Sequence, residues 1–402
     1  MKTFSRERLV ERAVLAYALV FVVVLTLSPM EFAWPRSWTV AWWGDWQDLP
    51  ANVLFFIPVG YLFILARAPA RRRAVLAAAL FGTALSAMLE TCQQFVPVRL
   101  TALTDLFGNA VGAAVGAWLC AVVRARLKRA LPDVLTIDHP LLNTVYLSLP
   151  LMGLVSIDAD PDGLRSWLLL PLGLMGAITI CGLWRYRLAA RVESPWQSVV
   201  VAVLVWFGSG ASLSLLTAPG VVLRCALLVA LVSLALLARD PRWAGRNGRF
   251  EGRVLVRVWP CFGLYLVMLV WWPPTLEFMP FHGGLWYPNL PFSRHMAVRV
   301  AEQAAALTLF GYLVAESLGR SRRAPGTVLR QCLVASVLCA LLVEVSRGFL
   351  PTDQASLARG VLSILGAGFG VFLYGARINV VRILRGEPSV SAVPQVVSPG
   401  LA

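Results

Sequence analysis

Runs of about 16 to 20 apolar residues recur along the whole chain, each closed by a short polar or basic stretch. A run of that length crosses a bilayer core when helical. Twelve such runs stand out: Ala13 to Ser28, Asn52 to Ala66, Ala74 to Cys92, Leu106 to Val123, Leu141 to Ile157 and Trp167 to Leu183, then Val199 to Thr217, Val221 to Ala238, Val258 to Trp272, Val298 to Leu318, Val328 to Val345 and Leu357 to Tyr374. With 58% hydrophobic and 14% charged residues, the chain has no surplus of polar surface with which to cover a water-soluble fold. The expected fold class is all-α, a polytopic integral membrane protein of about twelve transmembrane helices.

Charge placement supports the same count. Lys2, Arg6, Arg8 and Arg12 precede the first run, Arg67 and Arg71 to Arg73 follow the second, and Arg124, Arg126, Lys128 and Arg129 follow the fourth. Every second loop thereafter is basic, and roughly 28 of the 36 Lys and Arg fall on one side. Basic loops collect in the cytoplasm, so a multi-pass protein of the bacterial cytoplasmic membrane with both termini cytoplasmic is expected. The net charge of +15 is then a topology signal; nucleic acid is not an expected partner, because the charge is spread over seven short loops. The first run lacks a small-x-small cleavage site at Ser28, Pro29 and Met30 and reads as a retained anchor.

Two stretches of the chain resemble each other. LETCQQFVP at Leu89 to Pro97 aligns with VEVSRGFLP at Val343 to Pro351 at an offset of 254 residues, which also carries Gly112 and Gly116 onto Gly366 and Gly370. Upstream, an offset of 251 carries Gly60, Tyr61 and Leu62 onto Gly311, Tyr312 and Leu313. Matched runs lie eight apart, so the two copies share an orientation and are related by an axis along the membrane normal. This divides the chain into a first copy (1–130), a middle four-helix block (131–253), a degenerate second copy (254–385) and a disordered cytoplasmic tail (386–402). Under the alignment Asp48 becomes Arg299, Asn52 becomes Gln303, Arg99 becomes Asp353, Asp105 becomes Arg359 and Asn109 becomes Ser363, while Glu90 is kept as Glu344. The second copy thus reads as scaffold.

The candidate site lies in the first copy. Asp48, Asn52, Glu90, Gln93, Gln94, Arg99, Asp105 and Asn109 all fall at the ends of runs opposite the basic loops, where they can converge on one outward-facing pocket. Glu90, Gln93 and Gln94 share a helix face, as do Asp105, Asn109, Gly112 and Gly116. Gly108, Gly112 and Gly116 have the four-residue spacing of close-packed membrane helices, which turns Asp105 and Asn109 toward the bundle. Structural alternatives stand beside this: Asp105 and Asn52 suit helix starts, and Glu90 suits an ion pair with Arg99. Trp34, Trp38, Trp42, Trp43 and Trp46 read as interfacial anchors, and His282, His295 and Glu277 lack metal-ligand spacing. No nucleophile motif or phosphate loop occurs, and neither a cofactor nor a metal is expected.

The segment DLPANVLFFIPVGYLF from Asp48, followed by LETCQQFVPVRLTALTDLFGNAVGAAVG from Leu89 to Gly116, resembles the VanZ-like family of membrane proteins. The matching features are Asp48 with Asn52, Pro58 with Gly60, then Glu90, Gln93 or Gln94, Phe95, Pro97, Arg99, Asp105, Asn109, Gly112 and Gly116. The resemblance implies a cell-envelope protein, since the founding member is associated with low-level teicoplanin resistance, but it implies no settled activity. The expected function is an accessory or ligand-binding role toward membrane lipid, or toward a lipid-linked glycan or other envelope ligand. The alternatives are a membrane-embedded enzyme with Glu90 or Asp105 as general base, and a secondary transporter.

Overall fold

The computed structural model describes residues 9–27, 32–35, 40–43, 48–67, 73–96, 101–130, 140–157, 163–188, 196–238, 250–272, 274, 277–285, 294–319, 325–351 and 353–384. Helices occupy each of the twelve expected positions: α1 (Leu9–Leu27), α2 (Asp48–Arg67), α3 (Ala74–Gln93), α4 (Leu103–Ala130), α5 (Leu142–Ile157), α6 (Leu169–Leu183), α7 (Trp196–Gly210) with the single turn α8 (Ser214–Thr217), α9 (Pro219–Ala238), α10 (Phe250–Val270), α11 (Arg294–Leu318), α12 (Pro325–Arg347) and α13 (Leu357–Leu384). Among the described residues, nine of these are long and apolar enough to cross a membrane; α5 and α7 are shorter apolar helices, and α1 fills the remaining position. The chain is an all-α polytopic membrane protein.

Two departures from the expected boundaries have local causes. The seventh run breaks after Gly210, where the Ser209 and Ser212 hydroxyls donate to the Val205 and Ser209 carbonyls and compete with the helical ladder. In the other direction α4 continues past Val123 to Ala130 through Arg124, Arg126, Lys128 and Arg129, which are good helix formers that need no burial.

Packing sorts the helices into an interior and a lipid-facing shell. The apolar window of α11 is 72% buried and that of Leu164–Tyr186, which contains α6, is 67% buried, whereas that of α9 is 22% buried. On α9 the exposed Leu223, Leu227, Leu231 and Leu234 line one stripe, the face a helix turns to hydrocarbon. Inside, α2 lies against α4 and α11 against α13 at backbone contact distance. A Cβ placed on Gly60 would sit 2.0 Å from the Ala113 carbonyl oxygen, and one on Gly311 would sit 2.1 Å from that of Ala367.

Two short parallel pairings close one end of the bundle. Strand β1 (Val40–Ala41) pairs with β2 (Thr101–Ala102), and β3 (Gly283–Gly284) with β4 (Ala355–Ser356). Each ties the connection after a first helix (α1 or α10) to the residues just before a fourth (α4 or α13). We call this the β end; the basic loops lie at the other. Toward that other end, Arg377 of α13 donates to Glu11 of α1 at 2.7 Å, and the Tyr17 and Phe369 rings stack, so the last helix packs against the first.

Candidate functional site

The polar residues expected at the site are positioned by the last turn of α3 and the first two turns of α4. At the end of α3 the chain turns tightly: the amide of Gln94 donates to the Glu90 carbonyl at 3.3 Å and that of Phe95 to Cys92 at 3.1 Å. The α1–α2 connection folds over this turn. Ala33 donates its amide to the Phe95 carbonyl at 2.7 Å, and the Trp34 ring meets the Phe95 ring edge-on. Below, Gln94 Nε2 donates to Thr101 Oγ1 at 2.5 Å, and the Thr101 hydroxyl donates to the Glu90 carbonyl at 3.3 Å. Strand β2 is thereby held against α3, which sets where α4 begins.

From that start α4 presents Asp105 in its first turn and Asn109 one turn deeper. The position of Asp105 lets its charge face the positive end of the helix dipole. Asn109 is buried and donates from Nδ2 to the Ser86 hydroxyl of α3 at 2.8 Å, while its Oδ1 has no hydrogen-bond partner among the described residues. Ser86 is one turn before the buried Glu90, so Ser86 and Glu90 share the α3 face that meets Asn109. Asn52 joins from α2: a Cβ on Gly108 would lie 3.2 Å from the Asn52 Cβ. Glycine at 108 therefore lets α2 bring Asn52 against the start of α4.

The expected eight residues do not all converge. Glu90, Gln94, Asp105, Asn109 and Asn52 come from three adjoining helix ends. Gln93 instead turns to α1, donating to the Thr26 carbonyl at 2.9 Å, because a one-residue step along a helix rotates the side chain by about 100°. The Asp48 side chain and all of Arg99, the expected partner of Glu90, lie outside the described residues. Ser86 and Thr101 belong to the cluster and were not anticipated. Ser86 could have been found from its four-residue spacing to Glu90, whereas Thr101 has only its closeness to α4 to mark it.

The glycine contacts of α10–α13 repeat those of α1–α4 at the same offsets. Gly116 faces the Ile57 carbonyl, a Cβ there being 1.9 Å away, and Gly370 faces the Thr308 carbonyl at 2.0 Å. Gly112 faces the Val53 carbonyl at 2.3 Å and Gly366 that of Ala304 at 2.5 Å. Met279 donates to the Phe349 carbonyl as Ala33 does to Phe95, and the Phe281 ring meets Phe349 as Trp34 meets Phe95.

What fills the equivalent site differs, and it is not apolar scaffold. Arg359 lies where Asp105 lies in the first group, and its guanidinium grips Glu344 with both a 2.9 Å contact from Nε and a 3.0 Å contact from Nη2. It also reaches Asp353 at 3.1 Å and the Gln354 carbonyl at 2.6 Å. Arg347 holds Asp353 from the other side at 3.0 Å. Gln303 Nε2 donates to Glu344 at 2.6 Å and to Ser363 at 2.8 Å, and the amide of Ser356 donates to the second Glu344 oxygen at 2.9 Å. Burial alone would raise the Asp353 carboxyl, but the adjacent Arg347 and Arg359 guanidinium groups outweigh it and hold that group below the ordinary carboxylate value.

A second ion pair adjoins this network. Arg165, on the 3-10 turn Leu164–Leu168 before α6, donates to Glu302 of α11, whose other oxygen accepts from the Tyr265 hydroxyl of α10 at 3.0 Å. Both charged side chains are almost fully buried, so the middle block supplies one arm of a polar contact that its own sequence does not announce.

The family model VanZ/LLP1 matches residues 4–124, an interval that takes in α1 to α3 and most of α4. No curated protein and no solved structure matches the chain. The matched interval contains every residue of the polar cluster at the β end, and the α2–α4 glycine contacts that bring three helices to it. Residues 4–124 are therefore a VanZ-like module, carried by a larger polytopic membrane protein.

Proposed function

We propose that the chain is an accessory protein of the bacterial cell envelope, in which the cluster at the β end of the VanZ-like module binds a lipid-linked or glycan-like ligand. The observation that carries this reading is Asn109: a buried amide, beside Glu90 and Asp105, whose carbonyl oxygen has no hydrogen-bond partner among the described residues. A buried acceptor of this kind is expensive to leave unmade and suits a donor brought by a ligand. The basic loops at the opposite end support an orientation with the β end outside the cytoplasm. In the same reading α10–α13 form a diverged copy of the module, supported by the like glycine contacts at equal offsets and by the like loop hydrogen bonds.

The test is complementation of a deletion strain, scored by growth under agents that damage the envelope. Asp105→Asn and Glu90→Gln keep size while removing charge and are expected to express as the parent does but fail to complement. Full complementation by both variants sinks the ligand-site reading. A Trp42→Cys variant, at a side chain 78% exposed, is expected to react with a membrane-impermeant maleimide in intact cells; labelling only after lysis would reverse the orientation.

A further inference from the structure

Hydroxyls inside these helices are commonly spent on the backbone. Thr83, Ser148, Ser156, Ser233, Ser336 and Ser363 each donate to a carbonyl three or four residues earlier, at 2.7–2.9 Å. Ser86 of α3 makes no such bond. It is buried, its oxygen accepts from Asn109 Nδ2 at 2.8 Å, and its own proton meets no acceptor among the described residues. On the other arm of the same amide, Asn109 Oδ1 meets no donor among them. One buried pair, built from two helices, therefore keeps both a donor and an acceptor unspent. Turning the amide over exchanges the roles of the two groups and leaves the same balance. The aligned positions of the second cluster differ: Ala340 stands where Ser86 stands, and Ser363, where Asn109 stands, spends its hydroxyl on the Arg359 carbonyl.

From this we infer that the Ser86 and Asn109 pair receives a hydroxyl group of the ligand, which donates to Asn109 Oδ1 and accepts from the Ser86 hydroxyl. The inference rests on the ligand-site reading above and specifies its chemistry. Oδ1 and Nδ2 share one carbon and Nδ2 already holds Ser86 Oγ, so a single oxygen seated beside the amide reaches both groups and closes a ring of hydrogen bonds. An ammonium only donates and would leave the Ser86 proton unspent; a carboxylate or phosphate diester only accepts and would leave Oδ1 unspent. A hydroxyl does both at one atom. It can come from a glycerol headgroup or from a sugar ring.

The full-length protein in detergent would be exposed to two matched pairs of lipids, phosphatidylglycerol with phosphatidylethanol, and monoglucosyl diacylglycerol with its per-O-methylated form, with retention read by native mass spectrometry. Within each pair the charge is the same and only the headgroup hydroxyls are lost. Preference for phosphatidylglycerol over phosphatidylethanol identifies a glycerol source, and preference for the free sugar over its methylated form a glycan source. Either preference should fall about fivefold in Ser86→Ala, as expected for loss of one neutral hydrogen bond. A general weakening of the fold lowers both members of a pair alike, so the ratio reports the hydroxyl. Ala340, buried at the aligned position of α12, is the precedent for alanine there. Asn109→Ser copies the aligned Ser363, removes Oδ1 and should lower the same preference, so the inference stays testable if Ser86→Ala fails to fold. Retention that Asp105→Asn weakens but that shows no preference within either pair, or a preference that Ser86→Ala and Asn109→Ser leave unchanged, overturns the hydroxyl inference and leaves the ligand-site reading standing. No variant-sensitive retention of any probe overturns both.

Discussion

Arg359→Ala is expected to destabilise the protein by about 3–5 kcal/mol, the usual cost of removing one partner from a buried ion pair. Its guanidinium is nearly inaccessible and bridges Glu344 and Asp353, so truncation leaves Glu344 without its guanidinium and Asp353 with Arg347 alone of the two. Thermal unfolding of purified protein would show a large fall in Tm. The double variant Glu344→Gln with Arg359→Met removes both charges of the tighter pair and should recover much of the loss, because the penalty belongs to the stranded charge. An unchanged Tm in Arg359→Ala would mean that the network contributes nothing. The same pairing predicts a pH response. The Asp353 carboxyl is held below its ordinary value of 3.8, so its contribution is complete above that pH and is lost as pH falls through the lower folded value.

Gly116→Val should be comparably damaging, through packing rather than charge. The first added carbon would lie 1.9 Å from the Ile57 carbonyl oxygen and 2.8 Å from the Tyr61 amide nitrogen, both backbone atoms that cannot rotate aside. Helices α2 and α4 must then separate, and overpacking of this kind costs about 1–3 kcal/mol or more. Because that contact sets how α2 meets α4 below the cluster, the variant should also lose any ligand bound there. Gly208→Ala on α7 is the control: nothing lies within 4 Å of an added carbon there, and detergent stability should hold or rise. Equal melting temperatures for the two variants would show that close approach at Gly116 is not required.

These two variants mark the division between what was legible in the residues and what was not. Apolar runs and basic loops specify each helix locally, because membrane insertion is decided segment by segment from length and hydropathy. The four-residue glycine spacing pointed to a close contact for α4, and the repeat offsets told that α13 would make the same one. Glu90, Asp105 and Asn109 were identifiable as polar residues at helix ends for the same reason: in an apolar segment a carboxylate or amide is conspicuous.

Position-by-position comparison misled in one respect. The changes Arg99 to Asp353 and Asp105 to Arg359 look like loss when each is taken alone, yet together they exchange charge between two residues six apart. Arg347, standing where Gln93 stands, completes the circuit in the folded chain. Gln93 itself gave no hint that it would tie α3 to α1 rather than join Glu90.

The sequence by itself determined where the apolar helical runs lie and which end gathers the polar side chains, because those properties depend on local transfer free energies. Only the tertiary structure decided which polar groups meet. Glu302 finds Arg165 across 137 residues, and Glu344 finds Arg359 around a turn, because buried charges seek partners through space, wherever helix packing brings them.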